Sequence, residues 1–91
     1  MTSRDALSLS RAGRSIRTFP LGHAPVEVGS HPDCEIVVHA AAVPARALLV
    51  QPFGGTVYVY DIAARPWLGK RRVMPLGEPV PLGGGYSVTR V

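Results

Sequence analysis

Apolar and polar residues alternate with a period of two along most of the chain. Leu7 and Leu9 alternate with serines, and after Ala12-Gly13 the segment 15–19 returns as an antiparallel partner, which predicts a first hairpin. Residues 56–61 alternate most clearly, with valines on one face and tyrosines on the other. No segment of eleven or more residues sustains a period near 3.6, so helix is at most a minor component.

Further short strands are expected between turns that glycine and proline mark. Gly29 is expected to end one strand, because a backbone without a Cβ turns there at no steric cost. The other predicted strands cover residues 26–28, 35–38, 46–51 and 86–91, together with 67–69 and 71–74 on either side of a turn. This spacing predicts an all-β fold, a two-sheet β-sandwich of about ten short, mostly antiparallel strands. The inward positions predict a core of Leu7, Leu9, Val26, Val28, Ile36, Val38, Leu48, Val50, Val57, Val59 and Val88.

The length and composition predict one small binding domain. At 91 residues the chain forms a single domain over residues 1–91 with little room for a deep catalytic cleft, so no catalytic residues are expected. The apolar share of 46% excludes a disordered tail. The last predicted strand runs to the final residue, which favours a fragment or N-terminal module of a longer protein.

The sequence predicts a cytoplasmic domain. A single cysteine forms no internal disulfide, and no apolar signal region follows the polar start. No apolar run approaches the roughly 18 to 20 residues that cross a bilayer, so no membrane partner is expected.

The positive charge is scattered rather than organised. A net charge of +4 comes from nine arginines and one lysine against six acidic residues. Only Arg14 with Arg17, and residues 70–72, form local clusters, and neither is interleaved with aromatic residues. We therefore expect no direct nucleic-acid partner.

The centre of the chain carries a recognisable motif. Residues 26–38 read VEVGSHPDCEIVV, residues 43–50 read VPARALLV, and residues 80–88 read VPLGGGYSV. The first two resemble the core of a forkhead-associated (FHA) domain, V-x-V/I-G-R, then D-C-x-I-V/L, then V-S-R-R-H-A, and the third resembles the segment before its last strand. The resemblance runs from about Leu7 to Val91 and implies an FHA/SMAD-like sandwich that binds phosphothreonine.

The polar residues that hold phosphothreonine in that family are replaced here. The family uses the Arg after the Gly, the Ser of S-R-R-H and an Asn-Gly loop, since a phosphate needs a guanidinium fork and short donors. Ser30, Pro44 and Ala47 stand where the family has Arg, Ser and the bracing His, and the chain contains no Asn. The resemblance therefore implies a degenerate site with weak or absent phosphothreonine binding, unless Arg46, Arg65 or Arg71 supplies a substitute cation.

Other chemistry-bearing residues give weaker patterns. His31, Asp33, Cys34 and His39 lie close in sequence, but the family pattern places Cys34 at the start of a core strand, where it acts as a small hydrophobe. A nucleophile built from Cys34 and His39 lacks an orienting group. We expect no metal and no cofactor.

The predicted function is a non-catalytic interaction and regulatory module in bacterial signal transduction or transcription regulation. Its parent is a larger regulator such as a sigma-54-dependent enhancer-binding activator. The alternatives are a working noncanonical phosphoprotein reader and a structural or assembly domain of a secretion or signalling complex. The partner is another domain of the same chain, a second copy or a signalling protein. The predicted partner-binding residues are Ser30, His31, Arg46, Arg65, Trp67 and Arg71.

Overall fold

The computed structural model describes residues 5–63 and 73–91, and this part of the chain is all β. It contains nine strands, where about ten were predicted. They are β1 (Ala6–Arg11), β2 (Arg14–Pro20), β3 (Val26–Gly29), β4 (Ile36–Val37), β5 (Leu48–Phe53), β6 (Thr56–Asp61), β7 (Val73–Pro75), β8 (Val80–Gly83) and β9 (Tyr86–Arg90). The described residues form no helix long and apolar enough to cross a membrane.

The strands form two sheets. Sheet A has four strands in the order β2-β1-β9-β8, and sheet B has five in the order β4-β3-β5-β6-β7. All pairs are antiparallel except β3 with β4, which is parallel. The predicted two-sheet, mostly antiparallel sandwich is therefore confirmed.

The first hairpin forms as the alternation predicts. Leu7 lies opposite Phe19, and the turn carries Ala12 at φ 51° and Gly13 at φ 81°. Ala12 is thus a non-glycine residue in the left-handed region, and its N–H donates to the Gly85 carbonyl at 2.9 Å. This bond joins the two turns at that end of sheet A.

The core lies between the sheets and contains most of the predicted residues. Of the predicted set, only Val26 is half-buried, at the rim of the cluster, and the others are buried. The structure adds residues that the strand pattern does not indicate, namely Val43, Ala47, Leu76, Val80 and Leu82. Two of these, Val43 and Ala47, come from the loop between β4 and β5, so this loop packs as part of the core.

Candidate functional site

Two loops meet at one end of the sandwich. They are residues 30–35, between β3 and β4, and residues 38–47, between β4 and β5, and together they are called the loop end. The Ser30 N–H donates to the Pro44 carbonyl and the His31 N–H donates to the Ala45 carbonyl, each at 3.0 Å. These two consecutive backbone bonds hold the loops against each other.

Gly29 permits this close contact. It is the last residue of β3, and a Cβ built on it would lie 2.2 Å from the Ala45 carbonyl oxygen. No real Cβ tolerates that distance to a backbone atom, so the contact requires glycine. Gly29 ends β3, as the sequence predicts, but the reason is this close contact, because Gly29 is not among the residues with a positive φ.

The Ser30 hydroxyl also bonds the two loops together. It donates to the Val43 carbonyl at 2.9 Å, just before Pro44, the residue that stands in the place of the family's serine. Ala47, in the place of the family's histidine, is fully buried, and its N–H donates to the Val28 carbonyl. Two of the positions that the resemblance compares with the family's polar residues, Ser30 and Ala47, are therefore engaged by internal bonds or by core packing.

His31 is held by its own turn. Its Nδ1 accepts a hydrogen bond from the Asp33 N–H at 3.0 Å, and its carbonyl accepts from the Cys34 N–H. The same Nδ1 lies 3.8 Å from the Asp33 carboxylate. The His31 ring is therefore engaged by its own loop through Nδ1.

Arg46 is paired with a carboxylate on the adjacent strand. Its Nη1 donates to Glu27 Oε2 at 2.7 Å, and both side chains are partly exposed. This hydrogen bond and the charge of Glu27 raise the pKa of Arg46 above its ordinary value. Glu27 is fixed in turn, because its N–H donates to Glu35 Oε1 at 2.6 Å. The guanidinium is thus engaged within the domain.

Cys34 completes the contact between the loops. It is buried, and its thiol donates to the Ala45 carbonyl at 3.4 Å. Burial, followed by the nearby Glu27 carboxylate, raises the pKa of the Cys34 thiol. A buried thiol with a raised pKa is a poor nucleophile and a poor metal ligand. Across residues 5–63 and 73–91, no group of three or more His, Cys, Asp or Glu side chains is placed to hold a metal ion.

The structure brings together three of the six predicted partner-binding residues. Ser30, His31 and Arg46 lie on or beside the two loops, whereas Arg65, Trp67 and Arg71 fall outside the described residues. The role of all six in partner binding stays a prediction. Sequence reasoning missed Glu27, the residue that engages Arg46. The only signal for it was the position of a charged residue between Val26 and Val28, which places its side chain on the outer face of β3.

Comparisons with known proteins show the fold. No protein-family model and no curated protein matches the sequence. Among solved structures, the FHA domain of CT664 from Chlamydia trachomatis is 19% identical with a TM-score of 0.81, covering 98% of this chain and 97% of that one.

Two further FHA structures are also similar. One comes from work on phosphothreonine-dependent FHA domain interactions and is 16% identical with a TM-score of 0.77, covering 97% and 95% of the two chains. The other is the FhaA FHA domain complexed with the intracellular domain of Rv3910, 16% identical with a TM-score of 0.76, covering 96% and 99%. The chain therefore has the FHA fold over nearly its whole length.

Proposed function

We propose that this domain is a non-catalytic protein-interaction and regulatory module of the FHA type in which the phosphothreonine site is degenerate. Its setting is bacterial signal transduction or transcription regulation, for example in a sigma-54-dependent enhancer-binding activator. The observation that carries the proposal is the internal engagement of the loop end, where Ser30 is bound to Val43 and Arg46 to Glu27.

The energetics of phosphate recognition support the degenerate site. A phosphate that leaves water needs a cation and several short donors in its place. Arg46 would have to leave the Glu27 carboxylate at 2.7 Å, and Ser30 would have to leave a carbonyl at 2.9 Å. Pro44 has no backbone N–H to offer. For Arg46 and Ser30, each new bond to phosphate would thus replace an existing bond, which leaves little net gain.

The environment of the cysteine supports a non-catalytic role. The Cys34 thiol is buried against the Ala45 carbonyl, and its pKa is raised rather than lowered. Enzymes that use a thiolate lower the pKa of the cysteine with a nearby cation or histidine. The domain is proposed to act by binding, with no cofactor.

The proposed partner is a protein: another domain of the same chain, a second copy or a signalling protein. One structure with this fold is described in complex with an intracellular protein domain, and another in the context of phosphothreonine-dependent interactions. Both interactions belong to those proteins. They support a protein partner for this domain only because the fold is shared. Neither direct nucleic-acid binding nor membrane binding is part of the proposal.

Calorimetric titration with phosphothreonine peptides tests the degenerate site. We expect dissociation constants weaker than about 100 μM, with no difference between phosphorylated and unphosphorylated versions of a peptide. The Ser30→Arg variant should not gain binding, because Pro44 still supplies no donor and the Val43 carbonyl loses its partner. The Glu27→Gln variant removes the carboxylate charge that pairs with Arg46. It therefore tests whether Arg46 can serve as a substitute cation. Low-micromolar, phosphate-dependent binding by the wild type would overturn the proposal in favour of a working noncanonical reader.

A further inference from the structure

Strand β2 forms a long open edge of sheet A. It stands at the end of the strand order, so only its β1 side is paired. It has seven residues, the longest strand in the described part of the chain, and Phe19 alone among its side chains is partly buried. The other sheet edges are short: β4 has two residues, β7 three, and β8 four with Pro81 among them. Proteins usually shorten or block edge strands because their unpaired backbone groups bind further strands, so β2 is a candidate binding element.

The hydrogen-bond register directs backbone groups of Thr18 toward this edge. The Leu21 N–H donates to the Asp5 carbonyl at 2.8 Å, so these two opposite residues form a bonded pair. Bonded and non-bonded pairs alternate along an antiparallel ladder. Thr18, three residues before Leu21, therefore lies in a non-bonded pair with Ser8. The N–H and the C=O of Thr18 point away from β1, where an added strand would pair with them.

A groove lies beside the β2 edge, between the two sheets. It measures about 240 Å³, and its lining includes Ile16 and Phe19 of β2, Tyr86 of β9, and Val38, which follows β4. Ile16 lies at the bulge where the register of β2 with β1 shifts, and it is 54% exposed. Both sheets contribute to the lining, so the groove would receive an apolar side chain of a strand added to β2.

Three arginines occupy the side of sheet A that borders the groove. Arg17 lies opposite Leu9, which is buried in the core, and Arg14 lies opposite Arg11, two residues after Leu9 on β1. Opposite residues share a face of the sheet, as do residues two apart on one strand, so all three arginines lie on the inward face. The Arg17 guanidinium carbon lies 5.0 Å from the centre of the Phe19 ring. Arg11, Arg14 and Arg17 are called the edge arginines.

The edge arginines have no carboxylate partner within the domain. The four strands of sheet A contain no acidic residue, and Asp5, directly before β1, is paired with Arg90. Within residues 5–63 and 73–91, none of the ion pairs includes an edge arginine. Residues 1–4 and 64–72 contain no acidic residue that would supply a counter-charge. An acidic partner would therefore meet three unpaired cations at this edge.

The same charges argue against a second copy of the chain at this edge. Two β2 strands paired about a two-fold axis would bring the edge arginines of both copies onto adjacent strands. Like charges on adjacent strands are destabilising. The charge of β2 thus favours a strand of opposite charge over another β2.

We infer that the open edge of β2 binds an extended segment of a partner protein, rich in acidic and apolar residues, as an added antiparallel strand. Its backbone exchanges hydrogen bonds with Thr18, one apolar side chain enters the groove beside Ile16, and its carboxylates bind the edge arginines. The inference rests on the proposed protein-interaction function and gives it a surface and a partner chemistry. Binding at this edge requires no phosphate.

Titration of the 91-residue domain with the seven-residue peptide TETVTET, followed by NMR chemical shifts, tests the edge. In an extended strand the two glutamates and the valine of this peptide share one face, and the threonines share the other. We expect saturation with a dissociation constant below about 1 mM, and the largest shifts at Ile16, Arg17 and Thr18. The charge-reversed peptide TKTVTKT should not saturate. N-methylation of the threonines, which removes the N–H groups that pair with Thr18, should abolish binding.

Variants of the domain test the side chains of the site. Arg14→Gln combined with Arg17→Gln should weaken binding of TETVTET about tenfold through lost charge-assisted bonds. Ile16→Ser should weaken it about fivefold through lost apolar contact. Ile62→Ser is the matched control, since Ile62 is also exposed, at 42%, and does not line the groove. The substituted side chains are exposed, so all variants should keep the wild-type melting temperature.

Several results would overturn the inference. These are no saturation by about 1 mM, equal binding of TKTVTKT or of the N-methylated peptide, shifts confined to Ser30, His31 and Arg46, and equal binding by the arginine double variant. Dimerisation in sedimentation that Ile16→Ser abolishes would assign the edge to a second copy. None of these results makes phosphothreonine binding strong, so the degenerate site would stand. Low-micromolar binding of a phosphothreonine peptide would instead overturn the proposed function and leave the β2 edge to its own test.

Discussion

The loop end and the outer face of β5 and β6 use their side chains in opposite ways. At the loop end the polar groups point toward the chain itself: a hydroxyl, a thiol and a guanidinium each donate to a neighbouring loop or strand. On the outer face of β5 and β6 the alternate residues lie away from the core, and Phe53 is mostly in water. The described polar side chains of the loop end are therefore engaged within the domain, whereas Phe53 is left exposed.

At the loop end, the contacts that form the fold differ from the side chains that could bind a partner. A close contact such as Gly29 against Ala45 is needed to join the two loops, whatever they recognise. The polar residues above that contact are free to change once the contact is secured by backbone bonds. The FHA fold of this end therefore does not by itself determine what the domain binds.

The largest effect is expected from closing the space at Gly29. The Gly29→Ala variant should destabilise the domain by about 3 kcal/mol, because its Cβ would lie 2.2 Å from the Ala45 carbonyl and would push the loops apart. Urea unfolding followed by far-UV circular dichroism measures the loss. Gly22→Ala is the control, since a Cβ there meets nothing within 4 Å, and it should change stability by less than about 1 kcal/mol. Equal stability of the two variants would contradict the close contact.

The strands that were predicted well are those with an uninterrupted period of two. β1, β2 and β6 appear where the alternation places them, since a strand with one buried face needs that pattern. β8 has no counterpart among the predicted strands, and Pro81 lies within it. It is an edge strand of sheet A, where the missing N–H of a proline costs no bond to a second neighbour.

The contacts of the loop end could not be predicted in the same way. Val43 and Ala47 are buried although they belong to a loop, where no periodic pattern distinguishes inside from outside. The pairing of Arg46 with Glu27 joins residues 19 positions apart in sequence and depends on how the loop enters β5. Residue types alone did not indicate that the Ser30 hydroxyl and the Arg46 guanidinium are bonded within the domain, because their partners are set by the three-dimensional arrangement.

A smaller effect is expected from the Ser30 hydroxyl. Ser30→Ala should cost about 1 kcal/mol, because the Val43 carbonyl loses a hydrogen bond of 2.9 Å at a partly buried position. Thermal unfolding by circular dichroism measures the change. Ser10→Ala, on the outer face of sheet A, removes a half-buried serine hydroxyl outside the loop end and should have the smaller effect. If Ser30→Ala were as stable as the wild type, the hydroxyl would be free for a ligand and the loop end would not be closed as described.

The smallest effect is expected from pH. Burial raises the pKa of the Cys34 thiol above its ordinary value of 9.0, so the folded protein keeps the thiol proton at a pH where the unfolded chain releases it. Stability from this group is therefore fully present below about pH 9 and declines as pH rises toward the higher folded pKa. The decline has a structural reason as well, because the thiolate no longer donates to the Ala45 carbonyl.

Urea midpoints between pH 7.5 and 10 should fall more steeply for the wild type than for Cys34→Ala, which lacks the titrating group. Parallel curves for the two proteins would show that the thiol titrates alike in both states and takes no part in holding the loops together.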